Sequence, residues 1–204
     1  MSDFDSKAAA WDNNPDHFDR AVKLANYLQE QVDVTAVKTA LEYGSGTGLL
    51  SFALKEALPF ITLMDSSIEM TKEAQRKVDE QKIDSLRPLQ YDILTQDMPQ
   101  DKYDLIYILQ TLHHIEDTDL FLEKSAQLLN RGGNLVIIDL VKEDGSFHED
   151  EFHGHRGFVQ TELEGKMKRA GFEITHYGIC HIIQKELEDG SKKEFPLFMM
   201  VGRK

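Results

Sequence analysis

Cysteine occurs once in the 204 residues, at Cys180, so no internal disulfide can form. A single thiol fits a reducing compartment, and a cytoplasmic location is the expectation. No apolar run approaches the roughly 20 residues a bilayer-spanning helix needs, so no membrane partner is expected. The opening stretch, MSDFDSKAAAWDNNPDHFDR, is polar and acidic and reads as neither a signal nor a transit peptide. Basic clusters are scarce, none longer than SKK or KMKR. With 36 acidic against 23 basic side chains the net charge is −13. Such a surface repels phosphate backbones, which argues against a nucleic-acid partner. Repeats and low-complexity linkers are absent too, so residues 1–204 are expected to form one domain: a helical cap over 1–32 and a core over 33–204.

What is present is an alternation of strands and helices. Asn14 caps and Pro15 opens a helix over 14–31, with Phe18, Val22, Ala25 and Leu28 recurring at helical spacing. Strands are expected at 37–42, 60–65, 86–92, 103–109 and 134–139. Pro88 suggests that the third lies at an edge. The nearly continuous apolar run YDLIYIL suits the buried middle of a parallel sheet. Helices are expected at 48–57, from Ser66 to about 82, at 118–129 and at 161–170. Ser66 and Glu69 are spaced as a capping box ahead of Met70, Ala74 and Val78. The sequence NRGG reads as a stop for the helix at 118–129. GICHIIQKEL and FPLFMMVG then read as two strands joined by the turn EDGSK. The expected fold is α/β, a doubly wound seven-stranded sheet with the last strand antiparallel.

LEYGSGTGLL, residues 41–50, follows the first strand and opens the first helix of that sheet. In an open α/β sheet ligands bind at the carboxyl ends of the strands, where strand order reverses. Glycines there let the backbone turn tightly and approach a ligand. Asp65 ends the second strand, twenty-one residues beyond Gly44, where a carboxylate can accept both hydroxyl hydrogens of a ribose. Turn and acid together point to an adenosine cofactor. A dinucleotide fingerprint G-x-G-x-x-G fails, because Leu49 stands where its third glycine should be.

The run is E-x-G-x-G-x-G and resembles the first motif of class I S-adenosylmethionine-dependent methyltransferases, whose seven-stranded sheet ends in the same antiparallel hairpin. Asp65 corresponds to that family's ribose-binding acid, and YDIL places Asp92 and Ile93 beside an adenine. YDLIYILQTLHHIED and LLNRGGNLVIID resemble the fourth-strand and fifth-strand passages, so the likeness covers about residues 38–201. The resemblance implies S-adenosyl-L-methionine as cofactor and S-adenosyl-L-homocysteine as product. The cofactor set it implies is Trp11, Glu42, Gly44, Ser45, Gly46, Thr47, Gly48, Asp65, Ser66, Met70, Asp92, Ile93, Leu109 and Gln110. Glu42 suits a site that orients positive groups. Trp11, Phe4 and Tyr43 are the aromatics available to a sulfonium, a contact worth about 0.5–2 kcal/mol.

Methyl transfer relies on alignment and water exclusion, and a base is needed only for an acceptor whose proton is tightly held. His113 and His114, after the fourth strand, are the candidate catalytic residues, set against a purely structural cap on that loop. FHEDEFHGHRGF carries His148, His153 and His155 and reads as a lid over the substrate rather than a metal site. No metal is expected. A small-molecule acceptor is the working reading, with oxygen, nitrogen, sulfur and carbon all open as the attacking atom. Protein or tRNA methylation, and a non-catalytic cofactor-binding subunit, are the alternatives.

Overall fold

The structure, a computed structural model, describes residues 3–148, 152–187 and 190–204. Seven strands form one sheet in the order β3-β2-β1-β4-β5-β7-β6. β1 (Ala40–Tyr43), β2 (Ile61–Asp65), β3 (Leu86–Gln90), β4 (Tyr103–Leu109) and β5 (Leu129–Leu140) run parallel. β6 (Glu173–Glu186) and β7 (Lys192–Arg203) close the sheet, β7 antiparallel to both neighbours. Strand order reverses at β1, whose partners are β2 and β4, as the sequence rhythm implied. Two residues of the expected EDGSK turn, 188 and 189, lie outside the described residues.

The apolar run in β4 explains how one strand serves two cores. Side chains alternate across a sheet, so Leu105 and Tyr107 join one core while Ile106 and Ile108 join the other. On the first face pack α2 (Pro15–Gln31), α3 (Leu49–Leu54) and α4 (Ile68–Gln81), through residues such as Leu24, Leu50 and Ala74. On the second pack α5 (Thr118–Leu128) and α6 (Gln160–Arg169), through Phe121, Leu122 and Met167. Pro88 lies in β3, which pairs with β2 alone at the sheet edge.

Four local expectations are corrected. In α2 the buried residues are Ala21, Leu24, Ala25 and Leu28, whereas Phe18 is 56% and Val22 37% exposed. The inward stripe is thus Ala21, Leu24, Ala25 and Leu28, rotated away from Phe18 and Val22. At α4 the cap is Ser67, whose hydroxyl accepts from the Met70 amide at 3.2 Å, so the Ser66–Glu69 box does not form. NRGG does not stop α5: the chain enters β5 at Leu129, and the glycines lie within that strand, where the Gly132 amide donates to the Lys204 carbonyl. β6 begins at Glu173 rather than at Gly178, because Glu173, Ile174, His176 and Tyr177 already pair with β7, with a register shift at Thr175.

Candidate active site

The glycine turn leaves β1 with Gly44, Gly46 and Gly48 at φ of 67°, 54° and 86°. The Gly44 and Ser45 amides both donate to the Met64 carbonyl, at 2.8 and 3.1 Å, which folds the turn back over the end of β2. A Cβ on Gly44 would run into Thr111, so a side chain is excluded there by protein packing. Gly46 is the reverse case: the Met70 sulfur, 3.9 Å away, is the nearest atom a Cβ would meet. Here the loop backbone is uncovered, and here a ligand can come close.

Asp65 stands at this opening. Its Oδ2 accepts from the Gly46 amide at 2.7 Å and its Oδ1 from the Ser67 amide at 2.8 Å. Burial pushes its carboxyl up, and the two amide bonds oppose that shift. Each oxygen keeps a further lone pair for a hydroxyl. Asp92 is organised similarly after β3: Oδ1 takes the Tyr43 hydroxyl at 2.6 Å and the Leu94 amide at 2.9 Å. Its neighbour Ile93 is buried in the core on the α5 side. Burial, then the Asp92 bond, raises the Tyr43 phenol.

Leu109 ends β4, and Gln110 follows it in the left-handed region at φ 47°, its amide bonded to the Ile138 carbonyl at 2.8 Å. A non-glycine residue held there stores local strain, which is commonest at functional sites. The Thr111 hydroxyl then donates to the Gly44 carbonyl at 3.2 Å, joining the β4 loop to the glycine turn.

Glu42 is turned into the protein. It is 2% exposed, accepts from the Ser51 amide at 3.2 Å and also bonds the Ser51 hydroxyl, which lies 2.6 Å from the Tyr107 hydroxyl. Burial pushes its carboxyl up to about 8, against the pull of the Ser51 bonds. Ser45 and Thr47 are buried in the turn, and Ser66 is exposed with its carbonyl taking the Gln90 amide.

The first helix, α1 (Asp3–Trp11), lies across this region. The Ser67 hydroxyl donates to Asp5 at 2.6 Å and the Thr47 hydroxyl to Asp12 at 2.6 Å, while Lys77 pairs with Asp12 at 2.5 Å. Asp5, Asp12 and Lys77 were not picked out from the sequence, because their partners lie far off along the chain. Trp11 packs on His17, ring centroids 5.0 Å apart, and Phe4 meets His114 edge-on at 5.2 Å.

His113 and His114 form a short turn after β4. Asp139, fully buried at the end of β5, holds His113 twice: Oδ2 accepts the backbone amide at 3.1 Å, and Oδ1 lies 2.6 Å from the ring Nδ1. His114 is lowered to about 3, first by burial and then by neighbouring His113, His148 and Lys7. Burial likewise leads in bringing His148 down to about 4. The segment expected to act as a lid is tied at both arms, Lys142 to Phe158 at 2.9 Å and Glu143 to Arg156 at 3.0 Å. Residues 149–151 of it lie outside the described residues. Its three histidines part company: His148 reaches the His113–His114 pair, His153 is exposed, and His155 bonds the Ile115 carbonyl at 2.9 Å.

A parallel sheet reversing at β1, a glycine turn tied to an acid on β2 and a terminal antiparallel pair define the methyltransferase type of α/β protein. A family model described as a methyltransferase domain matches residues 16–177. The chain belongs to the class I S-adenosylmethionine-dependent methyltransferase family. An uncharacterized methyltransferase of Mycobacterium tuberculosis is 33% identical over 101 residues, half of this chain and half of its own length. The chain thus spans about half the length of the mycobacterial relatives it matches. A ubiquinone biosynthesis O-methyltransferase of Coxiella burnetii is 28% identical over 143 residues, 67% of this chain and 59% of that one. In fold, the chain is similar to an S-adenosylmethionine-dependent methyltransferase from Clostridium acetobutylicum, with TM-score 0.68 and 18% identity, covering 88% of this chain and 90% of that one.

Proposed function

We propose that the chain binds S-adenosylmethionine and transfers its methyl group to a small molecule in the cytoplasm, as one domain with no nucleic-acid or membrane partner. The observation that carries this reading is the junction of Gly46 and Asp65, where open loop backbone meets a half-buried carboxylate on the neighbouring strand. Among the described residues no helix is long and apolar enough to cross a membrane. The charge of −13 opposes tRNA as acceptor.

When bound, S-adenosylmethionine supplies a methyl group activated on a sulfonium. The chain's residues do the rest. Asp65 offers its remaining lone pairs to the ribose diol, and Asp92, fixed by Tyr43, borders the adenine end. Thr111 sets the spacing between this half and the histidine turn. His113 and His114 line the acceptor side of this junction, and Phe4 and Phe152 pack around His114 to exclude water. The Coxiella relative's name makes a hydroxyl the first acceptor to try. The pure chain, given S-adenosylmethionine and a panel of hydroxyl, amine and thiol compounds, is expected to form S-adenosylhomocysteine above the acceptor-free rate. Cofactor binding without turnover on any acceptor would favour a non-catalytic subunit instead.

A further inference from the structure

Three histidines from two separate segments of the chain converge. His113 and His114 come from the turn after β4 and His148 from the segment after β5. One ring nitrogen from each lies within 4.8 Å of the other two. Ring centroids are 4.2 Å apart for His113–His114, 4.9 Å for His113–His148 and 5.8 Å for His114–His148.

Packing alone explains this poorly, because three rings bring polar nitrogens to a site that aliphatic side chains would fill without desolvation cost. The Nδ1 of His148 is buried and has no hydrogen-bond partner among the described residues. His113 has the opposite arrangement, with Nδ1 held by the buried carboxylate of Asp139 at 2.6 Å. That leaves its Nε2 as the nitrogen free for a ligand. A carboxylate that fixes one ring nitrogen while the other binds is the usual outer support of a metal-ligating histidine.

We propose that His113, His114 and His148 form a binding site for a zinc-class divalent cation, with Asp139 orienting His113. An all-imidazole set favours Zn²⁺ over Mg²⁺ or Ca²⁺, which take oxygen ligands. With bonds of about 2.0–2.1 Å, a tetrahedral ion places its ligand nitrogens about 3.3 Å apart, a contraction that side-chain rotation supplies. Three ligands leave the fourth position for an oxygen or sulfur donor. Phe152 stacks on His148 at 3.7 Å and Phe4 stands edge-on to His114 at 5.2 Å, giving the site an apolar collar. Thr111, two residues before His113, bonds Gly44 and so ties the histidine loop to the glycine turn.

Binding of the cation stands independently of the methyltransferase reading. Its role rests on that reading: a hydroxyl or thiol acceptor at the fourth position would lose its proton to solvent more readily, and its anion would form the new O–C or S–C bond to the methyl carbon as the sulfonium C–S bond breaks and S-adenosylhomocysteine leaves as a neutral thioether.

The test uses the full chain, stripped of metal by chelation and free of S-adenosylmethionine, titrated with Zn²⁺ alone and with Co²⁺ as a spectroscopic probe. One equivalent of Zn²⁺ and the visible bands of four-coordinate Co²⁺ are expected. His148→Ala, checked for native circular dichroism, should weaken Zn²⁺ binding by more than about 100-fold, and Asp139→Asn by about 10–100-fold. His153→Ala should leave it unchanged. Absence of stoichiometric binding overturns the proposal. So does equal affinity in the wild type, His114→Ala and His148→Ala, or a loss confined to His153→Ala. S-adenosylmethionine binding, measured on the same samples, reports separately on the methyltransferase reading.

Discussion

Glu42 lies two residues ahead of Gly44, with its carboxyl bonded to Ser51 and enclosed with Tyr107 on the α3 side of the sheet. Burial keeps its proton on up to about 8 in the folded chain, against an ordinary value of 4.5. Between those values the folded chain holds a proton the unfolded chain has released, so stability falls as pH rises from about 5 to 8 and levels off above that. Glu42→Gln removes this dependence while keeping an oxygen for Ser51. Urea unfolding at pH 5.5 and pH 8 should show the wild type losing on the order of a few kcal/mol more than the variant over that interval. Equal losses would show that Glu42 is already ionised at pH 5.5. Gly44 makes a second residue-scale case. Its side-chain space is taken by Thr111, so Gly44→Ala forces both clash and a strained φ. A loss of about 1–3 kcal/mol in chemical denaturation is expected. At this scale the sequence was most legible where backbone dictates residue type, in the turn and at Asp65. It was least legible where partners are remote: nothing near His148 in sequence announces His113, and nothing near Asp12 announces Thr47 and Lys77.

Among the elements, α4 and α1 depend on one another through Ser67. Its hydroxyl caps α4 at Met70 and also donates to Asp5 on α1. Ser67→Ala therefore removes a cap and a tether together. About 1–2 kcal/mol of stability should be lost, read as a fall of about 2–5 °C in Tm, whereas Ser66→Ala, one residue earlier and exposed, should cost under 0.5 kcal/mol. If Ser66→Ala cost more, the cap would lie where the sequence first placed it. The adjacent serines explain why spacing alone misassigned it: S-x-x-E fits Ser66, and only the chain's path off β2 decides for Ser67. The same limit appears at β5 and β6. Glycine usually punctuates, but in NRGG backbone bonds to Lys204, and at Gly178 pairing with β7, override it. Strand and helix identities, set by apolar period, were readable; ends set by neighbouring strands were not.

Over the whole molecule, topology puts the chemistry in one place. The turn after β1, Asp65 after β2, Asp92 after β3, Gln110 to His114 after β4 and Asp139 at the end of β5 all stand at carboxyl ends of parallel strands. α1 joins them from outside the sheet through Asp5, Asp12 and Phe4. The net charge of −13 disfavours anionic ligands over the molecule as a whole. Filter binding at about 0.15 M salt should accordingly show no retention of tRNA by the chain, and salt-sensitive retention would reopen a nucleic-acid acceptor. The overall architecture was legible because a parallel sheet with a terminal hairpin leaves a plain record in the order of apolar runs. The cofactor claim meets its most direct test in calorimetric titration of the pure chain and of Asp65→Ala with S-adenosylmethionine. One-site binding to the wild type is expected, weakened at least about tenfold in Asp65→Ala, which corresponds to about 1.4 kcal/mol. Absence of binding to the wild type, or equal affinity in Asp65→Ala, would contradict it.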